Sequence, residues 1–402
     1  MPVKMSVRVP ALVKAPLIRW ARTSAGMDLK QAAHKATVKE EKLQAWEEGT
    51  EQPTIKQLRT LGEIYRRPLA VFFLPEPPRD FQVQNLKDFR RLAQGAAGGF
   101  SPALRFEIRR GLFRREVALE LFQNIGSTPQ PFQLLADLNE DPEVVGARLR
   151  GALDITLDRQ GRWQAQGYDA FNEVRDAVEA QGALVFQAAV PLEEMRGLAI
   201  HLEPLPLVLV SSKEKFMAPR LFTLLHEVCH LMLHCSAVSD GAEDGLKGEA
   251  QRVEVFANHV AGAALLPMDC LLAEPEIAGI QPRTAWNDTQ IERVSRRYRV
   301  SRETVLRRLL IAGRVTGDDY RSASGRWRQA FAALPPKKTE GAPQVHVVEL
   351  SRVGRVFPRL VLQNYYQEKI TGPDVSEYLN LKLKHLPKAE AELNGHRPVS
   401  NS

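Results

Sequence analysis

Apolar positions along this chain recur mostly at helical spacing, interrupted by a few short runs that read as strands. Between residues 12 and 75 the pattern predicts four segments, 17–27, 28–38, 39–49 and 54–74. Asp28 is placed to cap the second, and Gly49 to close the third. Residues 102–150 read as predominantly helical, with Arg105, Arg109, Arg110, Arg114 and Arg115 set among leucines and phenylalanines as a basic stripe. A helix at 166–182 precedes a strand at 183–190, and 197–212 gives two short strands around a turn. Helical periodicity then returns at 221–234, 251–267, 288–315 and 355–369.

The 221–234 run, LFTLLHEVCHLMLH, carries the chemistry. His226 and His230 lie four residues apart, so they share one helix face about one turn apart. Both imidazoles can reach a single zinc ion, with Glu227 beside them to activate water. The surrounding positions Leu224, Leu225, Val228, Leu231 and Met232 are apolar. Burying two histidines and a glutamate among them is costly unless they are paired or bind metal. A third ligand is sought on the 251–267 helix, where Glu254 is an acid flanked by Val253, Val255 and Phe256. His226, His230 and Glu254 would make the His2Glu set of a catalytic zinc. His234 and His259 are the rival ligands, and both are also candidates to stabilise an oxyanion. Cys229 sits between the two histidines but points partly away from their line, so it reads as packing.

These residues resemble the ImmA/IrrE family of zinc-dependent metallopeptidases. The match runs His226-Glu227-x-x-His230, then Glu254-x-x-Ala257-Asn258, then Leu265-Leu266-Pro267, with Val260 where many members carry Phe. The resemblance implies Zn2+ held by His226, His230 and Glu254, and Glu227 as the catalytic glutamate. The family's zincin-like fold also implies an edge strand along which an extended peptide substrate could pair.

The N-terminal helices resemble a Cro/repressor-type (XRE) helix-turn-helix, for which the ending Trp46, Glu47, Gly49, Pro53 is characteristic. DNA contact would then fall on Lys39, Lys42 and Gln44, with Lys30, Gln31 and Lys35 nearby. Glu40, Glu41, Glu47 and Glu48 dilute that basic face, and dimerisation or docking of a partner protein is the competing use. A second helix-turn-helix-like element is expected at 288–315, where eight arginines face only two glutamates between 291 and 315. Those arginines suit nucleic acid, or equally the outer side of a packing helix pair.

The whole resembles XRE–ImmA/IrrE regulators encoded beside PIN-like toxins. It implies a mostly α, α+β protein: a helix-turn-helix bundle at 1–80, a helical connection at 81–165 and a zincin-like core with a small sheet at 166–285. An arginine-rich element at 286–335 and a helical C-terminal region at 336–402 complete it. Two functions follow. One is a zinc endopeptidase and DNA-binding regulator that cleaves or controls a repressor or toxin. The other is a non-catalytic antitoxin that binds operator DNA and neutralises a toxin, with the core structural. A homodimer is compatible with either.

Composition narrows the field further. A net charge of +7 and a pI near 9.3 permit nucleic-acid contact. Three cysteines give no disulfide framework and fit a reducing cytoplasm. No apolar run is long enough to span a membrane, and no signal peptide is recognisable at the start. The glycines at 95–100 lack the βα context of a phosphate loop, and no acidic cluster suits a two-metal nuclease.

Overall fold

The computed structural model describes residues 10–78, 100–163, 169–235, 237–239, 248–278, 286–332 and 344–395. The basic helix expected at 82–91, the glycines at 95–99, most of the acidic stretch 235–250 and the linker 336–341 lie outside them. The protein is mostly α, with one small mixed sheet. It divides into two compact units, Met1–Leu112 and Phe113–Ser402.

In the first unit, α1 (Ala15–Ser24), α2 (Leu29–Ala36), α3 (Glu40–Glu48) and α4 (Ile55–Tyr65) precede a 3-10 turn at Leu69–Phe73. Three of the boundaries have a clear local cause. The Asp28 side chain accepts from the Gln31 N–H at 2.7 Å and starts α2. Gly49 ends α3 at φ +79°, a left-handed conformation that glycine adopts without a Cβ penalty. Thr54 and Gln57 form a reciprocal capping box on α4. Ile18, Ala32, Leu43, Trp46, Leu58 and Phe72 make the core. Glu47 is buried there, gripped by Arg22 at 2.7 and 2.9 Å, so it is not one of the acids on the basic face.

The second unit is built around a four-stranded sheet ordered β1-β3-β2-β4. β1 (Leu184–Ala188) runs parallel to β3 (Leu207–Ser211), while β2 (Gly197–Ile200) is antiparallel to both β3 and β4 (Ala237–Ser239). Every residue of β1, β2 and β3 is buried. Their near-continuous apolar runs are those of strands covered on both faces. β4 was not legible in the sequence: three residues are too short to show alternation.

The HExxH helix, Met217–Met232, packs on β2 and β3. It begins a turn earlier than the apolar pattern suggests, because Pro219 falls in its first turn, where no N–H is required. The second ligand helix, Glu249–Leu265, lies against both the HExxH helix and the helix Pro142–Ala152. Gly146 lets the latter pair approach: a Cβ there would stand 2.5 Å from Ala263 Cβ.

Several arginines of the expected stripes are structural. The stretch 125–141 is irregular rather than helical, since Gly126 ends Pro102–Asn124 at φ +67° and Pro129 and Pro131 follow. Arg114 and Arg115 are buried, and Arg105 and Arg109 donate to the Phe100 and Tyr65 carbonyls. In the helices Asp288–Tyr298 and Arg302–Ile311, Arg297 pairs with Glu274 at 2.6 Å and Arg308 is fully buried. Arg302 lies over Trp327 and Arg307 over Tyr320. No described helix is long and apolar enough to cross a membrane.

Candidate functional site

Because the HExxH helix is wedged between the sheet and the second ligand helix, its polar face looks into protein. His226, Glu227 and His230 are 4%, 0% and 0% exposed, which leaves little water to satisfy them. His226 Nε2 and His230 Nε2 stand 3.0 Å apart. Glu254 completes the group from the facing helix, with Oε2 3.2 Å from His226 Nε2 and Oε1 3.3 Å from His230 Nε2. Phe222, one turn before His226, stacks on its ring.

This donor set fits a metal ion. Zinc with bonds of about 2.0–2.1 Å requires tetrahedral ligand atoms about 3.3 Å apart; the two imidazole nitrogens, and each imidazole with the Glu254 oxygen facing it, stand near that spacing. Two imidazole nitrogens and a carboxylate converge on one point, where a shared cation would accept a lone pair from each. His226, His230 and Glu254 therefore form a group able to hold an ion. Burial alone would raise the Glu254 carboxyl, but the hydrogen bonds and charge of the two histidines outweigh it and hold the group well below the usual carboxylate range.

The rival ligands lie elsewhere. His259 Nε2 is 2.5 Å from Glu143, whose carboxylate also takes two bonds from Arg308 at 2.6 and 2.7 Å. His234 faces His201, Nδ1 to Nε2, at 3.1 Å. Cys229 packs in the apolar core, and burial pushes its thiol up, so it stays protonated.

One residue of the site escaped the sequence reading. Gly197, the first residue of β2, lies directly under Glu227; a Cβ there would stand 2.4 Å from Glu227 Oε1. The strand thus approaches the glutamate as closely as backbone can. A glycine opening an apolar strand was the available signal.

The residues expected to contact DNA are on α2, α3 and the turn between them. Lys30, Gln31 and Lys35 are exposed on α2, Lys39 immediately precedes α3, and Lys42 is half-buried. Gln44 donates to Glu48 at 2.7 Å, so reading a base edge would require that bond to open.

No curated protein matches the chain. Residues 178–310 match the family model of the M78 peptidases described as the IrrE N-terminal-like domain, a span that contains His226, Glu227, His230 and Glu254 and supports a relation to the ImmA/IrrE family.

Proposed function

We propose that the second unit is a zinc-dependent endopeptidase acting on a specific partner protein, and that the first unit targets operator DNA. The convergence of His226, His230 and Glu254 beside a fully buried Glu227 carries the peptidase reading. When bound, zinc would supply Lewis-acid polarisation of the scissile carbonyl and of the attacking water. Glu227 takes the proton from that water and returns it to the leaving amine, restoring its carboxylate. Gly197 fixes where that carboxylate sits by filling the space beneath it with backbone. A peptide added in extended form to this side of the sheet would pair with β4, since β4 already occupies the free edge of β2.

The test is co-incubation of the purified chain with its repressor or toxin partner. Wild-type protein should cleave it, E227Q should retain zinc without cleaving, and H226A and E254A should lose the zinc. Full neutralisation of a toxin by E227Q would instead select the non-catalytic antitoxin. The DNA role rests on the α2–turn–α3 pair with its exposed lysines, and gel retardation on the promoter of its own gene tests it.

A further inference from the structure

Beyond the HExxH pair, a second group of metal-ligating side chains comes together at the far end of the same helix. His201 and Glu203 lie just after β2, and His234 just after the HExxH helix. One ligand atom from each of the three lies within 4.8 Å of the others. The His201 and His234 rings are 4.6 Å apart and tilted by 65°, with ring nitrogens facing at 3.1 Å. That spacing is again close to the edge of a zinc tetrahedron, about 3.3 Å for bonds of about 2.0–2.1 Å. His201 is half-buried, while Glu203 and His234 are exposed, so an ion could enter from solvent.

The two backbones that present these donors are both held in place. His234 adopts φ +54°, the left-handed position after a helix that glycine or asparagine usually takes. Its N–H is bonded to the Leu231 carbonyl, and the following N–H, of Cys235, to the His230 carbonyl. On the other side, buried Arg115 donates to the carbonyls of Glu203, Pro204 and Leu205 at 3.3, 2.7 and 2.9 Å. Leu205 also has a positive φ, +74°. Non-glycine residues in this region persist where the surroundings fix them.

We propose that His201, Glu203 and His234 form a second divalent-metal site, which ties the C-terminal end of the HExxH helix to the segment following β2. Two imidazoles and one carboxylate select a borderline transition ion such as zinc, nickel or copper(II) over magnesium or calcium. The site is independent of whether the chain cleaves anything.

Isothermal titration of metal-stripped full-length protein with Zn2+ tests it. Wild-type protein should bind two ions per chain, H201A and H234N one each, and Mg2+ should not compete. Asn is chosen at 234 because it tolerates the left-handed backbone. E254A should also bind one, through the second site, and H201A/E254A none. Retention of one zinc by H201A and H234N shows that they are folded. The proposal is overturned if these two variants bind as many ions as wild type, or if wild type binds one ion and E254A none. If E254A binds two while H201A and H234N bind one, the second site stands and the first-centre assignment falls.

Discussion

At the scale of single residues, the arrangement depends on one atom that is missing. Gly197 carries no Cβ, and Glu227 occupies the space that a Cβ would take. Gly197→Ala forces the Glu227 carboxylate, or the β2 backbone, to move by an appreciable fraction of an ångström. Misplacing a catalytic group by about 1 Å costs about 10²-fold in rate. We expect G197A to lose about that factor in cleavage of the partner while keeping its zinc, because the atoms nearest the added Cβ belong to Glu227, which is not one of the three proposed ligands. Elemental analysis beside a cleavage assay checks both halves, and wild-type cleavage by G197A would remove Gly197 from the site. The residues whose chemistry shows through helical period, His226, Glu227, His230 and Glu254, were all legible in the sequence. Gly197, His201 and Arg115 were not, because their importance comes from segments far apart in the chain being folded against one another.

At the scale of elements, caps and breaks were readable and the partners of charges were not. Asp28 and Gly49 stand where local rules put them. Arg308, by contrast, is one arginine among eight until the Glu249–Leu265 helix crosses it. Gly262 on that helix makes room for its stem, a Cβ there standing 3.1 Å from Arg308 Cδ. The guanidinium then reaches Glu143 twice and the Leu266 carbonyl at 2.8 Å. Removing one partner of a buried ion pair costs about 3–5 kcal/mol. Since Glu143 is itself partly exposed and keeps His259, R308A should destabilise by about 3 kcal/mol, read as a fall in the urea midpoint. R296A, which breaks a pair exposed on both sides, should leave that midpoint in place. On α2 and α3 the proposed DNA contacts give a different readout. If Lys35 and Lys39 each neutralise a phosphate, K35A and K39A should each flatten the slope of log affinity against log salt by about 0.9. An unchanged slope would point the basic face toward a protein partner instead.

For the molecule as a whole, a buried acid helps to join the C-terminal helices to the sheet of the second unit. Glu179, at the end of the helix Asp169–Ala180, accepts from the Val185 N–H of β1 at 3.3 Å and from the Val356 N–H at 3.3 Å. Gly354 permits this contact; a Cβ there would lie 2.6 Å from Glu179 Oε1. Around it, Arg355 pairs with Asp176 at 2.5 Å, and Arg175 and Gln187 both donate to the Ser351 carbonyl. Burial raises the Glu179 carboxyl to about 7, against the opposing charge of Arg175. Unfolded, the same group titrates near 4.5. Between these values the folded protein binds more protons than the unfolded chain, so this group's contribution to stability is full below about 4.5 and is lost as pH rises toward and through about 7. Glu179→Gln keeps an acceptor oxygen and cannot ionise. The melting temperature of wild type relative to E179Q should therefore fall steadily between about pH 5 and about pH 8, even though Asp176 and other groups titrate in both proteins. Parallel curves over that range would mean that Glu179 is ionised throughout and that its amide donors and Arg175 outweigh its burial.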